Sequence, residues 1–163
     1  MAGVIPKAET SEVKPHSEKF EFDYEVYADI SVSAILSEIR LIGSEYSVKP
    51  EIFRVLEDLG NMAHDFSGVC KALDFIEEEG VAIGQYSWTA SIKYGRKKVL
   101  KLSTNYLVTY EGLEGKDGDH VAVFFNKVVR FATYPYFRAL FSHHTAETGI
   151  MMPPLPSLNE RVD

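Results

Sequence analysis

The histidines are the residues of this sequence best suited to acid–base or metal chemistry, because imidazole changes charge near neutral pH and binds metal ions. His143 and His144 are adjacent near the end of a predicted helix, and His120 lies near its start. Adjacent residues of a helix point in different directions, and the spacing places no third ligand beside them. We therefore expect a solvated helix end here and predict no metal site.

Two short loops carry part of an ion-binding pattern. Asp117-Gly118-Asp119 begins like a calcium loop but lacks the remaining ligands and the terminal Glu, so a turn with a helix cap is the simpler interpretation. The stretch 112–116 lacks the spacing and the hydroxyl group of a phosphate-binding loop. The run Glu77–Glu79 is typical of a solvated face, and docking of a partner is its alternative interpretation.

The single cysteine, Cys70, excludes an intrachain disulfide and any zinc site built from several cysteines. No neighbouring base marks it as a nucleophile, so we expect a small core residue. None of these groups nominates a catalytic residue, a metal ion or another cofactor. We predict that the protein is not an enzyme.

The composition is that of a soluble protein with one folded domain. The chain has 163 residues, of which 45% are hydrophobic and 25% charged. Its formal net charge of −7 argues against nucleic-acid binding, which depends on clustered Lys and Arg. No signal peptide is visible, so we expect a cytoplasmic protein. Residues 1–34 are predicted to form a flexible N-terminal segment, in which 20–34 could be extended, and residues 35–163 the folded domain.

Strand patterns dominate the first part of this domain. Ile39 and Leu41 alternate with polar residues, and the apolar parity changes beside Gly43, which predicts a β-bulge within one strand. Residues 52–59 are predicted to form a short helix, whereas 65–79 fit either a helix or a strand. Residues 80–94 alternate between apolar and polar and pair with 99–110, which predicts a long antiparallel hairpin.

The stretch from Asp119 to about His144 is predicted to be a long helix that Asp119 caps and Pro135 kinks. Its apolar residues occupy one side at helical spacing and much of the other side as well. A helix that is apolar nearly all round is buried on nearly every side, yet this one carries too much charge to cross a membrane. We therefore expect a second copy of the chain to cover it. The predicted oligomer interface consists of Phe124, Phe125, Val128, Phe131, Ala132 and Tyr136.

Residues 150–156 form an apolar strip whose prolines prevent it from continuing the helix. The strip is either a packed arm that seals the sheet of its own subunit or a pliable rim over a groove for other polypeptides. The pattern favours neither interpretation over the other, and both can hold together.

From about Arg40 onward, the order of the elements resembles SecB, the bacterial export chaperone. The resemblance is carried by the strand Trp88-Thr-Ala-Ser-Ile92, the return strand ending at 110–115, and the helix segment Tyr134-Pro135-Tyr136-Phe137-Arg138. Thr148-Gly149 and the proline-rich strip then follow the helix, as in that family. The combination is specific, although no single motif is decisive.

The resemblance implies an α+β fold in which a four-stranded antiparallel sheet packs with a long C-terminal helix, and it favours a strand within 63–75. It also implies a homotetramer built as a dimer of dimers, and an ATP-independent holdase that binds unfolded preproteins in apolar grooves for protein export. Tyr86, Trp88 and Tyr106 are core residues by default and line a groove in the alternative interpretation. The candidate client-binding residues are Phe66, Tyr86, Trp88, Tyr106, Met151, Met152 and Leu155.

Two departures from the family favour a second interpretation. The surface that docks SecA in that family is acidic and leucine-bearing, and the matching positions here are Glu45, Lys49, Val99 and Lys101. The two lysines disfavour charge complementarity with SecA. The sequence also lacks the second C-terminal helix of longer members. Both departures resemble the SecB-like chaperones of toxin–antitoxin systems, so an antitoxin is the alternative client.

An alternative of another class is a small-ligand enzyme of the hotdog type, which also wraps a sheet around a helix. That fold places its central helix after the first strand and needs a positioned carboxylate or histidine. Here the long helix is predicted to follow the hairpin, and no such residue is nominated. The sequence therefore disfavours this enzyme class.

Overall fold

The computed structural model describes residues 19–55, 57–58 and 62–158. In chain order, the elements are helix α1 (Tyr24–Ser33), strand β1 (Ile35–Val48), helix α2 (Ile52–Val55), strands β2 (Met62–Ile76), β3 (Val81–Tyr94) and β4 (Lys97–Glu111), and helix α3 (Gly118–Glu147). The strands form one antiparallel sheet in the order β1-β4-β3-β2. The predicted combination of a four-stranded antiparallel sheet and a long C-terminal helix is thus confirmed, and the ambiguous region 65–79 is largely strand β2. None of the described helices is both long and apolar enough to cross a membrane.

The sheet has an inner face, covered by α3, and an outer face. Alternate residues of β3 and β4 are buried on the inner face, where Trp88 lies opposite Thr104 and Tyr86 lies opposite Tyr106. Paired residues of neighbouring strands share a face, so Leu41, the partner of Tyr106 in β1, also lies on the inner face. The predicted hairpin is confirmed, and so is the bulge beside Gly43, where the register of β1 shifts between Leu41 and Gly43.

Helix α1 was not foreseen from the sequence, where residues 20–34 were expected to be extended or part of a tail. The Asp23 carboxylate caps this helix by accepting from the backbone N–H groups of Glu25 and Val26. Ile30 is fully buried, and the ring of Tyr27 lies 6.3 Å from that of Phe124 in α3. Residues 24–33 therefore belong to the folded unit, whereas residues 1–18 of the predicted flexible segment lie outside the described part of the chain.

Helix α3 begins two residues earlier than predicted, because Asp117 rather than Asp119 caps it. The Asp117 carboxylate accepts from the backbone N–H of His120 over 3.0 Å. Pro135 lies inside the continuous helix. Gly84 of β3 lets the helix approach the sheet, because a Cβ at this position would overlap the ring of Phe125.

The buried side of α3 winds around the helix, which corrects the interpretation that a second copy must cover the helix on nearly every side. Every fourth residue of one row is buried: Val121, Phe125, Val129, Thr133, Phe137, Phe141 and Thr145. Each step of four residues advances about 40° around an α-helix, so this row turns through about 240° from end to end. The twisted sheet follows the same path. The chain's own sheet therefore accounts for much of what looked like a second apolar side.

Candidate functional site

The residues best suited to chemistry have structural partners. Nε2 of His120 accepts from the backbone N–H of Asp23 over 2.9 Å, and Nδ1 lies 2.5 Å from a carboxylate oxygen of Asp117. An Nδ1–H tautomer satisfies both contacts, so the neutral imidazole joins the starts of α1 and α3. The ring of His144 stacks on Tyr46 at 4.5 Å, while His143 is exposed. The described residues contain no group of three or more His, Cys, Asp or Glu side chains that could hold a metal ion.

The loop from Gly112 to Lys116 is a structural connection between β4 and α3. Leu113 is fully buried, and its backbone N–H donates to the carbonyl of Gly80 over 3.0 Å. The ammonium of Lys116 pairs with Asp29 of α1 at 2.5 Å. These contacts occupy the only lysine of the loop.

Cys70 is buried, and burial raises the pKa of its thiol to about 11. Because the thiolate is the nucleophilic form, this cysteine is held in its unreactive state at neutral pH. Burial likewise raises the pKa of Tyr86 to about 12. Both side chains therefore remain neutral, as expected of core residues.

Three of the predicted client-binding aromatics lie in the core of the subunit. Tyr86, Trp88 and Tyr106 are each less than a tenth exposed. They are therefore core residues of the subunit and do not line an exposed groove. The indole of Trp88 stacks on the ring of Phe137 at 5.6 Å and meets that of Tyr134 at 5.0 Å. These rings form the contact between sheet and helix, and α3 separates them from solvent.

Phe66 occupies a different environment at the edge of the sheet. It is half-buried on β2, which has a neighbouring strand on one side only, and its ring stacks on Tyr134 at 5.6 Å. Gly68, two residues further along the same face, leaves space for the side chains of Tyr86 and Trp88. Phe66 thus packs on Tyr134 with one part of its ring and exposes the rest near the β2 edge.

The C-terminal strip lies along α3 as an extended arm, residues 150–158. Its Ile150 and Leu155 are buried, whereas Met151 is 98% exposed and Met152 is half-buried. The Nε–H of Arg138 donates to the Leu155 carbonyl over 2.6 Å, and the Tyr134 hydroxyl donates to the carbonyl of Pro156. Ile150 and Leu155 therefore seal the subunit, as the first interpretation of the strip proposed, whereas Met151 faces solvent.

An open pocket of about 240 Å³ lies between this arm and α3. Its lining combines aromatic, aliphatic and cationic side chains: Phe131, Tyr134, Pro135, Arg138, Ser157 and Leu158. Sequence analysis did not identify Tyr134 and Arg138 as residues that hold the arm. Their spacing of four residues on the predicted helix was the available signal, because it places both on one side.

Apolar side chains remain uncovered on the opposite side of α3. Tyr134 contacts β2, so Val128, Ala132 and Tyr136, about half a turn away around the helix, face towards β1. Tyr136 is 57% exposed. Phe131, 39% exposed, lies instead on the Tyr134 side, where it lines the pocket. Of the predicted oligomer interface, Phe124 and Phe125 are instead buried against the subunit's own sheet.

Strand β1 adds further exposed apolar residues at the edge of the sheet. Leu36 and Leu41 lie on the inner face and are 42% and 47% exposed, and Ile42 in the bulge is 49% exposed. The backbone of β1 has a neighbouring strand, β4, on one side only. We call the exposed residues Tyr136 of α3 and Leu36, Leu41 and Ile42 of β1 the apolar surface.

The predicted partner-docking residues lie at one end of the sheet. Glu45 pairs with Ser103, and Lys101 pairs with Ser47, which places both on the outer face. Lys49 is exposed just after β1, and its backbone N–H donates to the Val99 carbonyl over 2.8 Å. Val99 itself is only 2% exposed, so its side chain lies inside the subunit rather than on this surface.

No protein-family model matches the sequence, and no curated protein is significantly similar to it. A solved structure is similar in fold: a SecB-like chaperone of Mycobacterium tuberculosis in complex with a ChAD peptide from the HigA1 antitoxin. The TM-score is 0.68 at 17% sequence identity, and the similarity covers 85% of this chain and 99% of that one. The chain therefore has the SecB-like fold, with its long helix after all four strands rather than after the first.

Proposed function

We propose that this protein is a chaperone that binds extended, non-native polypeptide segments and assembles through the uncovered apolar side of α3. The observation that carries the proposal is the apolar surface: aromatic and aliphatic side chains lie exposed beside the unpaired edge of β1. Contiguous exposed apolar side chains on a folded protein mark interaction sites, because leaving them in water costs free energy. The SecB-like fold supports the same conclusion.

The apolar surface serves assembly in this proposal. Tyr136 protrudes from α3, and Leu41 and Leu36 from β1, so a second copy that packs its own α3 and β1 here would bury both sets. A two-fold contact of this kind is self-complementary, because both copies contribute the same surface to it. Two such pairs give the homotetramer that the resemblance implies.

Clients bind on the other side of α3, at the pocket and the C-terminal arm. The pocket offers the Phe131, Tyr134 and Pro135 surfaces to an apolar client side chain. Met151 extends this apolar surface, and its flexible thioether adapts to side chains of different shapes. The unpaired edge of β2 beside Phe66 can accept backbone hydrogen bonds from an extended client. Burial and backbone pairing need no nucleotide, so binding is independent of ATP.

Two kinds of client are considered: preproteins bound for export, and an antitoxin that the chaperone protects. The similar structure contains an antitoxin peptide, which favours an antitoxin as client. The corner formed by Lys49 and Lys101 is cationic, which disfavours docking of SecA on the surface that the resemblance indicates. The protein is then a dedicated cytoplasmic chaperone, and general export is the alternative.

The test compares unfolded and native forms of one protein. Reduced, carboxymethylated α-lactalbumin stays unfolded in buffer, and we expect it to bind with micromolar or tighter affinity while the native form does not bind. A Met151→Asp variant, which places a carboxylate on the arm, should weaken binding by about tenfold, whereas Val32→Asp on α1 should leave it within about twofold. Equal affinity for the two forms of α-lactalbumin contradicts the proposal.

A further inference from the structure

Exposed cations are concentrated at one end of the sheet. This basic end consists of Lys49, Lys93, Arg96, Lys97, Lys98 and Lys101. It contains six of the 17 Lys and Arg residues of a chain whose net charge is −7. Five of the six side chains are exposed and Lys93 is half-buried. The concentration is therefore a local feature of the surface that opposes the overall charge.

The strand register brings three of these lysines onto one face. Lys98 pairs with Lys93 across the β3–β4 hairpin, and Lys101 pairs with Ser91 and with Ser47 of β1. Ser91 and Lys93 alternate with the buried Ile92, so all of these side chains lie on the outer face. Arg96 in the turn and Lys97 at the start of β4 continue the basic end.

No intramolecular contact accounts for this charge. Among the described residues, none of the six cations forms an ion pair. Two carboxylates lie close to them on the outer face: Glu45 lies diagonal to Lys101, and Asp65 lies diagonal to Lys93. Lys93 directly opposite Lys98 is unfavourable, because like charges in cross-strand positions repel. The basic end therefore costs the folded chain stability, and an anionic partner would reverse that cost.

The run Glu77–Glu79 is too distant to neutralise the basic end. It lies at the opposite end of β3, a strand of 14 residues. That strand spans about 45 Å, whereas charges are screened beyond about 8 Å at physiological salt. The six cations outnumber the neighbouring outer-face carboxylates Glu45 and Asp65, so a ligand at the basic end meets a positive local field.

The outer face next to the basic end suits a polypeptide better than a nucleic acid. Ser87 donates to the Asn105 side chain over 3.1 Å, and Asn105 donates to Gln85 over 3.2 Å, so this face carries hydroxyl and amide groups that can pair with a peptide. The outer-face positions of β3 and β4 carry no aromatic side chain on which a base could stack. Half-buried Ile83 and Leu107 follow further along the sheet and can contact apolar side chains.

We propose that the basic end docks an acidic polypeptide segment, in which consecutive carboxylates contact Lys93, Lys98 and Lys101. The segment lies on the outer face of the sheet, across the sheet from α3 and the C-terminal arm. Docking there leaves the client pocket open, so the two sites act independently. The partner is thus a protein with an acidic stretch rather than an apolar client.

The experiment measures fluorescence anisotropy with a labelled peptide of about ten residues that alternates Glu and Val, and with a matched peptide in which Gln replaces every Glu. We expect the Glu peptide alone to bind, and its affinity to fall about tenfold between about 50 mM and 300 mM salt. Lys98→Glu combined with Lys101→Glu should weaken binding by at least about tenfold. Lys71→Glu, a charge reversal at an exposed site on β2, should change it by less than about twofold.

Three outcomes would overturn the proposal: equal affinity for the Gln peptide, unchanged binding by the reversed variant, or tighter binding of single-stranded RNA than of the Glu peptide. Circular dichroism checks that the reversed variant is folded, and Lys98→Gln with Lys101→Gln replaces it if it is not. Binding of unfolded α-lactalbumin is measured in parallel. Loss of peptide binding with retained α-lactalbumin binding separates this site from the proposed client site.

Discussion

The indole N–H of Trp88 in β3 donates to the hydroxyl of Thr133 in α3 over 2.8 Å, and that hydroxyl donates in turn to the Val129 carbonyl. Trp88 is 2% exposed and Thr133 is fully buried. The hydrogen bond joins the centre of the sheet to the middle of the winding apolar row of α3. It therefore fixes which side of the helix meets the sheet, and with it which residues stay uncovered.

Replacing Thr133 with Val should destabilise the subunit. The valine side chain has nearly the same shape but cannot accept the indole hydrogen bond, so a buried donor loses its partner at a cost of about 1–3 kcal/mol. Thr133→Ser keeps the hydroxyl and should lose only the methyl group's packing, about 1 kcal/mol. Urea unfolding followed by Trp fluorescence measures both variants. A Val variant as stable as the Ser variant would contradict this role of the hydroxyl.

His120→Ala should loosen α1 from α3. The substitution removes the acceptor for the Asp23 N–H and the partner of Asp117, so the cost is about 1–3 kcal/mol. We expect amide hydrogen exchange of residues 24–33 to accelerate more than that of β3. His143→Ala provides the control, because His143 is exposed and should change stability by less than about 0.5 kcal/mol. Equal exchange in α1 for the two variants would show that His120 does not hold this helix.

Local patterns predicted the sheet well and the helices less completely. The β3–β4 hairpin and the bulge beside Gly43 follow from the alternation of neighbouring residues, which the sequence displays directly. Helix α1 depends on a cap at Asp23 and on contacts with residues nearly 100 positions away, such as the bond to His120 at a separation of 97. Its own sequence is too short to form a stable helix without that packing.

The candidate site shows the same limit. The apolar periodicity of α3 indicated burial, but it did not reveal that the buried row winds with the sheet and leaves mainly Phe131 and Tyr136 exposed. Alternation placed Tyr86 and Tyr106 on the inner face of the sheet. It could not show whether that face is covered by the subunit's own helix or left open as a groove. The basic end was divided among three segments of sequence, and only the strand register brings them together.

The stability of the subunit should fall in acid partly through Asp117. The side-chain hydrogen bond from His120, together with its backbone N–H, holds the pKa of the Asp117 carboxyl below its usual range. A group whose pKa is lower in the folded state stabilises it above the unfolded-state pKa of about 3.9 and loses that contribution as the pH falls through the folded value. Asp117→Asn should therefore be less stable than the parent protein at neutral pH, and the difference should shrink below about pH 4.

Urea unfolding of both proteins at several pH values measures this difference. Asp74→Asn, at an exposed position on β2, controls for the loss of one carboxylate. A gap between Asp117→Asn and the parent protein that stays constant down to the acid limit would contradict the assigned role of this carboxylate.

Charge placed on the uncovered side of α3 should dissociate the assembly. Tyr136 is 57% exposed in the single subunit and would be buried between copies, so Tyr136→Glu places an unpaired carboxylate in an apolar interface. Light scattering should show the mass of a tetramer for the parent protein and of a smaller species for this variant. Tyr24→Glu is the matched control, because Tyr24 is 73% exposed at the start of α1 and its replacement should leave the mass unchanged. A parent protein that scatters as a stable monomer would contradict the assembly, and the exposed side chains of α3 would then be available to clients directly.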